Sequence, residues 1–161
     1  MNPTPASKRR HSPALAAVML ALFGVYACAP CWAQNFPPSV TKLVARAKAQ
    51  VRTIDLATFK AAFDRKSAGL IIDVREPGEY AEGHVPGAIN IPRGLIEFKI
   101  WSQVGFPDKV DLSRKLTLYC GSGARAALAA KSLKDLKLTG VTAVDMSFED
   151  WKQAGYPLDR E

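Results

Sequence analysis

The chain has 161 residues, 48% of them hydrophobic and 23% charged, with three cysteines. One ordinary domain fits that length, and the composition excludes a disordered tail, a collagen-like rod, a bundle of membrane helices and a disulfide-dense scaffold. The net charge of +7, from 22 basic and 15 acidic residues, matters less for its size than for its distribution.

Lys8, Arg9 and Arg10 precede an uncharged run that begins at Ser12 and lasts until Lys42. A positive start, an apolar centre around Leu15, Val18, Leu20, Leu22 and Phe23, and small residues in Cys31-Trp32-Ala33 make a secretory signal over 1–33, with cleavage before Gln34. The expected destination is the bacterial periplasm. Leu15–Ala29 is 15 residues long, short of the roughly 20 that span a bilayer. A retained anchor is therefore the lesser alternative, and no stable membrane anchor is expected after processing. Val25-Tyr26-Ala27-Cys28 distantly resembles a lipoprotein signal, with Tyr26 bulky for it. Cys28-Ala29-Pro30-Cys31 has the spacing of a redox dithiol, but it lies in the segment expected to be removed.

Removing 1–33 leaves 19 basic and 15 acidic residues, a net +4. No block of five like charges and no interleaved aromatic platform remains, so no nucleic-acid partner is expected. Residues 34–50 read as a linker and N-terminal extension: Asn35-Phe36-Pro37-Pro38-Ser39 as linker, Thr41 to Gln50 as a short, loosely docked basic helix. The domain proper is expected over 51–161. Asp55 caps a helix whose Leu56, Phe59, Ala62 and Phe63 share one face. Leu70-Ile71-Ile72 is an apolar run too short for a helix and reads as a buried strand, ended by Asp73-Val74-Arg75-Glu76-Pro77-Gly78. Ala88–Ile91 and Leu116–Tyr119 are further strands. A helix from Ala124 to about Leu136 follows, then a strand Val141–Val144. A short helix carrying Phe148, Trp151 and Ala154 is closed by Gly155 and Pro157. Strands alternating with helices imply an α/β fold, a mainly parallel sheet with helices on both faces.

Cys120 is the one cysteine left after residue 33, and it stands at the carboxyl end of a predicted strand, where open α/β sheets bind ligands. The turn Cys120-Gly121-Ser122-Gly123-Ala124-Arg125 frees its amides to face a common centre, and the helix beyond adds its partial positive end. Both effects favour the thiolate, the nucleophilic form, and so does the Arg125 guanidinium.

Asp73-Val74-Arg75-Glu76, Glu79-Tyr80, Gly83-His84-Val85-Pro86-Gly87-Ala88-Ile89-Asn90-Ile91-Pro92, Tyr119 through Arg125, and Trp151 with Gly155-Tyr156-Pro157 occur in the order of the single-domain rhodaneses, which the chain resembles over about 53–158. The resemblance implies a single rhodanese-like domain and a sulfurtransferase working by double displacement on Cys120. A thiosulfate-like anion donates sulfane sulfur, the amides of Gly121, Ser122, Gly123, Ala124 and Arg125 hold the persulfide, and a thiol, cyanide or protein thiol accepts. It implies no metal and no organic cofactor. The six-residue loop goes with sulfurtransferases, whereas the related phosphatases and arsenate reductases have seven. A sulfur-relay module with little activity on small donors is the second reading. Asp73, Arg75, Glu79 and His84 are expected to form a polar framework, Asp73 by fixing the active loop. Arg125 is expected to bind the donor, with an acid pair as the alternative. The resemblance has two departures. Gly121-Ser122 is similar to the mercaptopyruvate type while Arg125 fits the thiosulfate type. Met146-Ser147 replaces a usual pair of glycines.

Overall fold

A computed structural model describes Met1 and residues 36–161. The expected signal, the lipoprotein pattern and the Cys28/Cys31 pair lie outside the described residues. The unit Phe36–Glu161 is built on one five-stranded parallel sheet. Its strands are β1 (Arg52–Ile54), β2 (Leu70–Asp73), β3 (Ile89–Asn90), β4 (Leu116–Tyr119) and β5 (Val141–Val144), in the spatial order β1-β5-β4-β2-β3. The helices are α1 (Pro38–Gln50), α2 (Leu56–Asp64), α3 (Pro77–Glu82), α4 (Ile96–Gln103), α5 (Ala124–Asp135) and α6 (Phe148–Gln153). The α/β expectation agrees with this architecture.

The two-residue period of the strands divides the core. Ile72, Leu116, Leu118, Cys120 and Ala143 face one side, where α4 contributes Ile96 and Ile100 and α5 contributes Ala126, Ala129, Ala130 and Leu133. The alanines let the α5 backbone come close to the sheet. Ile71, Tyr119 and Val144 face the other side, against Phe59 of α2, Tyr80 of α3 and Phe148 and Trp151 of α6. Trp151 is fully buried and donates from its indole to the Pro157 carbonyl at 2.9 Å, so its polar atom costs nothing to bury. Leu118 pairs with Ile72 on one side and Ala143 on the other. β4 is therefore central, and the chain leaves it in the crevice between its two neighbours.

Several elements differ from the sequence expectation. The Pro37-Pro38-Ser39 stretch read as linker begins α1 instead, because a proline is well placed in the first turn of a helix, where no N–H is needed. The helix α1 packs against α5, and Ala47 is its buried residue. The edge strand β1 and helices α3 and α4 were not anticipated. In α3 the Pro77-Gly78 pair reads as a turn, yet Pro77 starts a helix and the Glu79 side chain accepts from the Glu76 N–H at 3.1 Å. No helix among the described residues is long and apolar enough to cross a membrane.

Candidate active site

The Cys120 thiol closes the buried run Leu116–Tyr119 and has no solvent exposure. After it the chain turns through Gly121 and an exposed Ser122 into Gly123, the cap of α5. Gly123 has φ +77°, and a Cβ there would lie 2.7 Å from Asp145 Oδ1 and 3.3 Å from the Val144 carbonyl. Backbone conformation and space both demand glycine at this position. The Ala126 N–H, in the first turn of α5, donates to Cys120 Sγ at 3.4 Å. The amides of Gly121 through Arg125 have no hydrogen-bond acceptor among the described residues. A sulfur atom is thus bordered by a helix N-terminus and a run of uncommitted donors, an arrangement that stabilises negative charge. The back of the loop is tied down separately, since the Phe148 N–H donates to the Gly121 carbonyl at 3.0 Å.

The residues expected to surround this loop fall into three groups. Asp73 and Arg75 engage each other. Arg75 Nε donates to both Asp73 carboxylate oxygens at 3.0 and 2.9 Å, Nη2 donates to Oδ2 at 2.6 Å, and the Arg75 N–H donates to Oδ1 at 2.9 Å. Arg75 also reaches the Gly83 carbonyl at 2.7 Å, and its guanidinium lies 3.9 Å from the Phe148 ring centre. Burial works against its charge, but the hydrogen bonds and charge of Asp73 outweigh burial and raise its pKa. The Asp73 carboxylate, expected to fix the active loop, is spent on Arg75. Its link to the loop is indirect, since Asp73 lies opposite Tyr119, the residue before Cys120.

Glu79 and Arg125 form the second group, with two hydrogen bonds of 2.6 and 2.8 Å between guanidinium and carboxylate. The Arg125 bond holds Glu79 below the usual carboxylate range, and Glu79 raises Arg125. Arg125 therefore sits in the acid pair that was its alternative role, and a Cβ on Gly121 would be 3.3 Å from its Nη2. His84 forms the third group, stacked on Tyr80 with ring centres 3.7 Å apart and Nδ1 hydrogen-bonded to the Tyr80 carbonyl at 3.0 Å. It is buried in this packing and braces α3.

Tyr119 is a site residue that the sequence showed as part of a strand and of the loop motif, without a role of its own. Its hydroxyl accepts from the Val85 N–H at 3.0 Å, and burial pushes its pKa up. This bond fastens the Gly83–Pro92 segment to the residue that precedes the thiol. The Ala126 amide was likewise missed, although its place in the first turn of the expected helix was a usable signal. Met146 is buried in the α2/α6 layer and Ser147 caps α6, accepting from the Glu149 N–H at 3.2 Å, so the two residues in place of glycines form a packed wall. Among the described residues no three His, Cys, Asp or Glu side chains gather as metal ligands would.

The family described as the rhodanese-like domain matches residues 55–154. The chain is 31% identical over 98 residues to a putative sulfur carrier protein, YrkF, of Bacillus subtilis, covering 61% of this chain and 49% of that protein. It is 32% identical over 93 residues to the thiosulfate:glutathione sulfurtransferase of Saccharomyces cerevisiae, covering 53% of this chain and 66% of that one. The chain thus spans about half to two thirds of the length of these relatives. Among solved structures it is similar to a Rhodopseudomonas palustris protein of unknown function described as a possible tyrosine phosphatase. That match has 29% identity and a TM-score of 0.65, and covers 78% of this chain and 98% of that one.

Proposed function

This chain belongs to the rhodanese-like domain family, and from that premise we propose that it is a sulfurtransferase that carries sulfane sulfur on Cys120. The observation that supports the reading best is the Cys120 sulfur itself, met by the Ala126 N–H and bordered by the amides of Gly121 through Arg125, which have no acceptor among the described residues. In the first step the Cys120 thiolate attacks the outer sulfur of thiosulfate. The S–S bond of the donor breaks, sulfite leaves with the bonding pair, and the persulfide anion forms with no change in total charge. In the second step an acceptor thiolate or cyanide attacks the outer persulfide sulfur, and the Cys120 thiolate is released. The loop amides serve both steps, because each develops or transfers negative charge on sulfur at one place. Relatives named as sulfurtransferases support transfer in general, and the thiosulfate donor of the yeast enzyme supports the donor class.

Brief exposure to thiosulfate is expected to add one sulfur atom to the intact mass of the 34–161 chain, with cyanide removing it. Cys120→Ser should gain nothing. An unchanged mass in folded, reduced protein would overturn the reading. The likeness to a putative sulfur carrier favours a second reading, a relay module fed by a protein partner. It predicts negligible thiosulfate turnover together with a persulfide on protein isolated from its own cell. The structural likeness to a possible tyrosine phosphatase is tested by Cys120-dependent hydrolysis of an aryl phosphate, which the six-residue loop disfavours. Export to the periplasm is proposed on the residues of 1–33, and amino-terminal sequencing of native protein should then begin at Gln34.

A further inference from the structure

The helix α1 precedes the family match at 55–154, and one of its side chains reaches the Cys120 loop through a single carboxylate. Lys48 Nζ pairs with Asp145 Oδ1 at 2.5 Å, across 97 residues of sequence. Asp145 directly follows β5, held there by its N–H on the Ile54 carbonyl at 2.8 Å. The same Oδ1 lies 2.7 Å from where a Cβ would stand on Gly123. A carboxylate therefore rests against the loop whose amides have no acceptor among the described residues, and Lys48 is its counter-charge. Lys42 and Arg46, the other basic residues of α1, form no ion pair among the described residues.

As a source of stability a half-exposed pair of this kind is worth little. Its position gives it a different effect, because a charge within a few ångströms of the Gly123 backbone contributes to the potential that an anion approaching the loop meets. An uncompensated Asp145 repels a dianion twice as strongly as a monoanion and leaves a neutral molecule alone. We propose that Lys48 is a specificity-determining residue of the Cys120 loop, neutralising Asp145 so that anionic sulfur donors reach the thiol. The donor part of this inference rests on the sulfur-transfer reading; the electrostatic part does not.

The test compares wild type, Lys48→Met, Asp145→Asn and the double variant. The helix stays docked in all four, since Ala47 is buried and Lys134 Nζ bonds the Gln50 carbonyl at 2.5 Å; circular dichroism and Tm verify this. With thiosulfate, Lys48→Met should raise KM by about threefold to tenfold, while the double variant returns to wild type or below. The difference should shrink in molar salt, where the screening length falls to about 3 Å. With a neutral dialkyl trisulfide as donor the four proteins should agree. A second readout needs no sulfur transfer: the ratio of Cys120 alkylation rates by iodoacetate and iodoacetamide. That ratio should fall in Lys48→Met and recover in the double variant. Equal ratios in all four proteins, or a loss that Asp145→Asn does not rescue, would overturn the inference and leave α1 a purely structural helix. Absence of sulfur transfer by wild type would instead defeat the sulfurtransferase reading, and the alkylation ratio would still decide the role of Lys48.

Discussion

Two arginine–carboxylate pairs flank the strand end that carries Cys120, and they differ in nearly every respect except chemistry. Asp73 and Arg75 are two residues apart, with side chains 0% and 6% exposed. Glu79 and Arg125 are 46 residues apart, with side chains 40% and 34% exposed. The first pair gives up nearly all of its hydration and must be well supplied with hydrogen bonds, which it is. The second keeps water at hand and joins α3 to the first turn of α5. The same two functional groups thus make a fixed brace in one place and a separable contact in the other, and dielectric surroundings decide which.

The largest test of that contrast removes one partner from the buried pair. Arg75→Met strands the Asp73 carboxylate in the core and is expected to lose about 3–5 kcal/mol of stability, read as a shift of the urea midpoint at constant m-value. A loss below about 1 kcal/mol would place this pair in the same class as the exposed one. An intermediate effect is expected from Tyr119→Phe, which leaves the buried Val85 N–H without its acceptor and should cost about 1–3 kcal/mol by the same measurement. The smallest is Glu79→Gln, expected to change stability at neutral pH by less than about 1 kcal/mol. Its signature is in the pH dependence. Glu79 titrates below its ordinary value of 4.5 in the folded chain, chiefly because Arg125 bonds it. The unfolded chain therefore holds more protons in that range. The contribution of the pair is complete above the ordinary value and is lost as pH falls through the folded one. Stability curves of wild type and Glu79→Gln should converge in acid; parallel curves would show that the pair opens in solution.

The parts of the fold that were readable in the sequence are those whose signal is local. β2, β4 and β5 are short apolar runs bounded by glycines or charges, and α2 and α5 carry their caps and apolar faces within a few residues. β3 was readable too, as the Ala88–Ile91 run, although only Ile89–Asn90 pair with the sheet; β1 lies at the opposite edge, where three residues suffice and the pattern is mostly polar. α3 is hidden behind a proline-glycine pair, and α4 has only Ile96 and Ile100 as buried markers. The site divides along the same line. Cys120 and the glycines of its loop are contiguous and announce themselves. The pairing of Arg125 with Glu79, the Tyr119 bond to Val85 and the arrival of Lys48 at Asp145 span 34 to 97 residues of sequence, so only the folded structure reveals them. Arg125 shows the cost of reading locally: in its own neighbourhood it is an anion binder, and tertiary structure supplies the acid.

The complete burial of the Cys120 sulfur also bears on timing. On the proposed sulfur-transfer reading, a persulfide on Cys120 would extend the side chain by one S–S bond, about 2.05 Å, and set its outer sulfur farther from the floor on which Sγ lies. The resting loop holds only a nucleophile, so an acceptor thiol would meet no electrophilic sulfur there until the loop is loaded. Reach would then change with cargo.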